Sequence, residues 1–126
     1  MLGDLMAVRL SDDALGERLH RRRDEAVCVS LKPAVAATPN SCHENAEEYA
    51  RSHGDCQVVR GWLIENFEGF CYFNAHSVLR AADGQLFDPT PMRQCCPFLL
   101  HDGDEEDFAV QRENRPRVQY PPAKPD

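Results

Sequence analysis

Two β-forming runs joined by a short turn constrain this chain more than any other feature. Residues 57–65 are rich in Val, Trp and Ile, and residues 70–80 form a long aromatic and aliphatic run. Asn66-Phe67-Glu68-Gly69 between them has turn chemistry. A second turn, Ala82-Asp83-Gly84, leads into a short run at 85–88 that Pro89-Thr90-Pro91 brings to an end. Runs joined by turns this short pair antiparallel.

Around this centre the pattern is mixed. Residues 11–25 have helical spacing, with Ser11 as a cap and Leu15 and Leu19 one turn apart, although Gly16 weakens the helix. Residues 27–31 are a short β-prone run, and 32–41, with Pro33 and Pro39, read as a loop. The spacing predicts a second helix over 42–53, stopping at Gly54. Ser41-Cys42-His43-Glu44 fits a capping box, and Cys42, Ala46, Tyr49, Ala50 and His53 form its inward stripe. Residues 98–100 and 108–112 are further short elements, the acidic stretch 102–107 is a surface loop, and Tyr120-Pro121-Pro122 begins a poorly ordered tail. No internal repeat or linker divides the chain. The expectation is one α+β domain over 1–126, with its core at about 26–120 and a flexible tail at 121–126. In it, a helix carrying Cys42 packs on an antiparallel sheet of four or five strands.

Bulk properties exclude some partners. A length of 126 residues suits one modest core, and a net charge of −7 disfavours nucleic-acid phosphates and anionic membrane surfaces as partners. The basic run Arg21-Arg22-Arg23 is flanked by Asp24 and Glu25 and reads as a solvated helix face. No apolar stretch approaches the roughly 18–20 residues of a membrane span, and the N-terminus lacks the basic start and apolar run of a secretory signal. The chain is therefore expected to be cytoplasmic, or a secreted effector or mature product with no visible leader. Six cysteines (Cys28, Cys42, Cys56, Cys71, Cys95 and Cys96) invite a disulfide framework, but without an export signal free thiols are expected.

Three residues carry the chemistry. Cys42 opens a helix, where unpaired N–H groups and the positive end of the dipole favour thiolate, the nucleophilic form. His76 shares a strand face with Phe70, Tyr72, Asn74 and Val78, and an imidazole among such neighbours needs a partner. Asp88 ends the next strand, and its face depends on the turn before it. A two-residue turn at Asp83-Gly84 pairs residue 79 with 88 and sends Asp88 to the far face. A three-residue turn, with Gly84 in the left-handed conformation, pairs 78 with 88 and makes Asp88 a diagonal neighbour of His76. Each residue also has a plain structural role open to it: a small buried hydrophobe, a core histidine bonded to backbone, and an Asx turn.

Taken together, Ser41-Cys42-His43-Glu44-Asn45, Asn74-Ala75-His76-Ser77-Val78 and the segment from Asp83 through Gln85, Leu86, Phe87, Asp88 and Pro89 to Thr90 resemble the papain-like superfamily of cysteine enzymes. The likeness is to its transglutaminase-like and arylamine N-acetyltransferase-like branches. It covers residues 41–91, about 40% of the chain. It implies Cys42 as nucleophile, His76 as base and acid, and Asp88 as the carboxylate that orients His76. Some small bacterial toxins and effectors use this plan. The chain departs from the family in having no match for the Gln that donates to the oxyanion in papain-like proteases. It also lacks the acetyltransferase glycines before the Cys, so acyl transfer from coenzyme A is not expected. The Cys42 N–H is one oxyanion donor, and Asn40, Asn45 and Asn74 are candidates for a second. Trp62 is core or pocket wall, and is included among the substrate-binding candidates. His43 is an alternate base, expected to point outward.

The leading expectation is an enzyme that cleaves or exchanges an amide of a protein or peptide through a thioester, with no cofactor: a peptidase, glutamine deamidase or transglutaminase-like transferase. The runner-up is a binding module on the same fold with Cys42 inert. A zinc domain ranks third, since no C-x2-C pair has a matching partner and adjacent Cys95-Cys96 is poor chelating geometry. No metal site is expected, and residues 102–107 lack the spacing of a calcium loop.

Overall fold

The computed structural model describes residues 12–92, 94–114 and 116–122; the expected Ser11 cap and residues 123–126 of the tail lie outside them. In chain order the elements are α1 (Asp12–Arg21), a 3-10 turn (Arg23–Glu25), β1 (Val27–Cys28), β2 (Ser30–Leu31) and α2 (Cys42–Ser52). Then come β3 (Gln57–Phe67), β4 (Phe70–Arg80), β5 (Leu86–Asp88), β6 (Pro97–Leu100), α3 (Glu105–Asn114) and β7 (Arg117–Tyr120). Three α-helices pack on a mostly antiparallel, nearly closed barrel-like sheet among the described residues.

The β3–β4 hairpin is the spine. It pairs along its whole length, from Gln57 opposite Arg80 to Phe67 opposite Phe70. Its turn is tighter than expected: Glu68 and Gly69 both take positive φ (51° and 83°), the two-residue geometry that matches strand twist. On the outer edge of β3, β6 packs very closely over Gly61, where any Cβ would run into the Leu99 carbonyl oxygen and the Phe98 ring.

The expected strand at 27–31 is two strands. Val27 and Cys28 pair antiparallel with β6 at one end of the sheet, while Ser30 and Leu31 pair parallel with β5 at the other. Val29 between them is buried against Val78 and Phe98. This segment joins the two edges of the sheet, so the strand order β1-β6-β3-β4-β5-β2 almost closes on itself. The sheet has seven strands where four or five were expected.

Three further expectations are corrected. The acidic stretch enters α3: the Asp107 N–H donates to Asp104 Oδ1 (2.8 Å), and Glu105, Glu106 and Asp107 fill the first turn, where the helix dipole favours negative charge. Residues 108–112 are therefore helical, with Phe108 and Gln111 buried. The segment before the tail is β7, paired with β4 from Cys71 opposite Tyr120 to Asn74 opposite Arg117; Tyr120 stacks on His20 at 4.1 Å. Finally, Leu15 and Leu19 of α1 pack with Trp62, Phe73, Leu99 and Val118, so the core extends back beyond residue 26.

α2 packs on β4 and β3, with Ala46 fully buried near Leu79 and Phe87. Its ends differ from expectation. The Ser41 side chain makes no capping bond; its carbonyl accepts the Asn45 N–H instead (2.8 Å). The helix stops at Ser52, and His53 is exposed and stacked on Tyr49 rather than inward. All six cysteines are free thiols. No helix among the described residues is long and apolar enough to cross a membrane.

Candidate active site

The turn at 82–84 decides the site. The Ala81 N–H donates to the Gln85 carbonyl (2.9 Å) and the Gly84 N–H to the Ala81 carbonyl (2.9 Å), closing a three-residue loop. Gly84 has φ +89°, and Leu79 pairs with Phe87. That register is the one that makes Asp88 a diagonal neighbour of His76, and the His76 Nε2–H donates to Asp88 Oδ2 at 2.6 Å. Both side chains are almost fully buried, at 7% and 2% exposure. Asp88 Oδ1 accepts the Thr90 N–H (3.0 Å), so the Asx turn and the histidine contact coexist on one carboxylate. The Asp88 carbonyl accepts the Lys32 N–H (2.9 Å), which ties β5 to the segment that follows β2. Gly84→Val forces a β-branched residue into the left-handed region and is expected to lower stability by about 1–2 kcal/mol, read as a shift in urea midpoint. An unchanged midpoint would mean the loop relaxes freely.

β4 is paired with β7 at 71–74 and with β5 at 79–80, which leaves 75–78 uncovered by a strand on that side among the described residues. The first turn of α2 meets β4 at this gap. Cys42, half-buried at the helix start, lies close enough to His76 and to its own neighbour His43 for both imidazoles to act on its thiol. With His76 Nε2 on Asp88, the other ring nitrogen, Nδ1, is left for the thiol. Burial alone would push the Cys42 thiol up, but the imidazoles of His43 and His76 beside it bring it down to about 6. Burial likewise works against charge on His76, and the Asp88 carboxylate and Cys42 more than reverse it, raising His76 to about 9. Between those two values the favoured state is a thiolate beside an imidazolium, titrating as a pair. Such a pair is equipped to attack a carbonyl and to protonate the group that leaves.

His43 is not where the sequence placed it. It points inward: its Nδ1 lies 2.6 Å from Ser77 Oγ and its ring meets Phe108 edge-on at 6.0 Å. Ser77 is fully buried and also accepts from Arg60 Nη1 (2.8 Å), while Arg60 is held by Glu47 (2.7 Å) and Glu105 (2.8 Å). Sequence reasoning named His43 only as an alternate base. The overlooked signal is that His43 and Glu47 lie one turn apart on α2, a spacing that presents both to the same strand.

The other site candidates are placed differently. Asn45 binds both polar atoms of the Thr38 backbone (2.7 and 3.2 Å) and donates to Thr90 Oγ1 (3.0 Å), fastening the 32–41 loop over β5. The Asn74 amide donates to Glu65 on the neighbouring strand (2.6 Å). Asn40 is exposed, with φ 64°, two residues before Cys42. Trp62 is fully buried, and its indole N–H donates to His101 Nδ1 (3.2 Å); it is core. Among the described residues, no three His, Cys, Asp or Glu side chains are placed to hold a metal ion.

No protein-family model, curated protein or solved structure matches this chain.

Proposed function

We propose that this chain is a papain-like cysteine enzyme acting on an amide of a protein or peptide through a thioester. The observation that carries the proposal is the Cys42–His76–Asp88 arrangement: a helix-start thiol beside an imidazole that is itself fixed by a buried carboxylate at 2.6 Å. In the first step Cys42 Sγ bonds to the carbonyl carbon and the carbonyl π electrons move to oxygen. When the oxyanion collapses, the C–N bond breaks and the nitrogen takes the His76 proton, leaving a thioester. Water or an amine then attacks, gives its proton to His76 and displaces the thiolate. Water yields cleavage or deamidation; an amine yields transfer. Asp88 keeps the ring turned so that one nitrogen always faces Cys42.

Two further features favour a peptide-sized substrate. The chain is acidic and short, which suits a polypeptide better than a polyanion or a large cofactor. A groove of about 800 Å³ also lies between the 32–37 segment and α2, walled by Tyr49, Phe87 and Lys32 among others. Cys42 is not in its wall; Asn45, on the next turn of the helix, is.

The proposal is tested with an alkyne-bearing iodoacetamide probe and a peptide vinyl sulfone, applied to wild type and Cys42→Ala. Fast labelling of wild type at Cys42, lost in the variant, is expected; labelling spread evenly over the six cysteines would sink it. On this mechanism kcat/KM for an amide substrate is bell-shaped in pH. It rises as the thiolate forms through about 6 and falls as the imidazolium is lost through about 9. A single limb near pH 8.5 would contradict the ion pair.

A further inference from the structure

We propose that His43 Nε2–H is the second oxyanion donor of this site, locked in that tautomer by Ser77 and Arg60. The inference rests on the cysteine-enzyme reading above and adds a residue to it. Arg60 can only donate, so Ser77 Oγ receives one hydrogen bond from Arg60 Nη1 at 2.8 Å. Ser77 is fully buried, and His43 Nδ1, 2.6 Å away, is the one remaining polar partner it has among the described residues. A buried hydroxyl proton needs an acceptor. The Ser77 O–H therefore donates to His43 Nδ1, and whenever the ring carries a single proton that proton is on Nε2.

The consequence is a division of labour between two imidazoles on one sulfur. His76 has Nε2 committed to Asp88 and uses Nδ1 to exchange a proton with Cys42. His43 has Nδ1 committed to Ser77, which leaves Nε2–H as its free donor, and its ring lies near enough to the Cys42 thiol to act on it. In the attack step negative charge passes from Sγ to the carbonyl oxygen two bonds away. A donor on the residue next to the sulfur follows that charge to the oxygen, together with the Cys42 N–H, which has no intrahelical acceptor at the first helical position. The chain has no Gln in the place papain-like proteases use, and Asn45 and Asn74 are engaged elsewhere. Arg60, anchored by Glu47 and Glu105, and Ser77 act through His43 and are positioning residues.

The test compares two reactions of Cys42 in wild type, His43→Leu, His43→Gln and Ser77→Ala. Iodoacetamide alkylation displaces iodide and creates no oxyanion; a peptide aldehyde adds to form a tetrahedral adduct with oxygen in the oxyanion position. His43→Leu is expected to weaken aldehyde binding by about 10²-fold, a typical loss for one such donor, with alkylation changed less than about tenfold. His43→Gln, which keeps an N–H donor, should recover part of the loss. In ¹⁵N-labelled protein the His43 nitrogens should report an unprotonated Nδ1, and Ser77→Ala should mix the tautomers. Equal loss in both reactions, unchanged aldehyde affinity in His43→Leu, or an Nδ1–H tautomer would each overturn the proposal. Failure of the enzyme reading looks different: wild-type Cys42 would then alkylate no faster than a free thiol.

Discussion

Cys42→Ala is expected to abolish capture of electrophilic probes at the helix start and to slow amide turnover by at least about 10³-fold, with the fold retained. The size follows from the mechanism: neither His43 nor His76 can supply the covalent step once sulfur is gone. Retention of the fold follows from packing. Cys42 is half-buried, and α2 is anchored through Ala46, fully buried near Leu79 and Phe87. Losing one sulfur there should cost about 1 kcal/mol, a shift of a few degrees in thermal midpoint. Circular dichroism and a melting curve check this half, and a turnover assay the other. A variant that unfolds would make Cys42 a structural residue.

Asp88→Asn is expected to slow turnover by on the order of 10³–10⁴-fold, an effect larger than its stability cost of about 1–3 kcal/mol. The carboxylate has two tasks: Oδ1 accepts the Thr90 N–H and Oδ2 accepts the His76 Nε2–H. An asparagine can keep its oxygen on only one of them. With oxygen held by Thr90, its NH2 faces His76 Nε2 and draws the ring into the Nδ1–H tautomer. That ring cannot take a proton from the thiol. Loss of the Asp88 charge also removes part of what raises His76, and with it part of what lowers Cys42. The alkylation limb of Asp88→Asn should therefore move toward higher pH. Full activity in Asp88→Asn would leave a Cys–His pair that needs no orienting carboxylate.

Much of the site was legible because it depends on local geometry. The β3–β4 hairpin is written in period and turn residues, and the His76–Asp88 contact follows from one glycine at positive φ and an odd loop count. What was missed depends on partners distant in sequence. Residues 27–31 look like one strand, and nothing local says that their halves serve opposite edges of the sheet. The acidic run at 102–107 has loop composition, yet Asp104 as a cap and Phe108 as an anchor against Trp62 make a helix of it. Tyr120 precedes two prolines and suggests a tail, but the open edge of β4 supplies hydrogen bonds for a strand. The inward stripe expected for α2, Cys42, Ala46, Tyr49, Ala50 and His53, leaves His43 outside it. The partner of His43 is a buried serine, Ser77, that also accepts from Arg60 on the neighbouring strand.

The ion pair at the centre of the proposed mechanism is tested most directly by the pH dependence of Cys42 alkylation, resolved by mass spectrometry from the other five cysteines. Thiolate is the reacting form, so the rate follows its fraction. A rise with a midpoint near pH 6, followed by a plateau up to about pH 9, is the expected result. A midpoint at about 8.5, the value of an unperturbed thiol, would contradict a thiolate–imidazolium pair at Cys42 and His76.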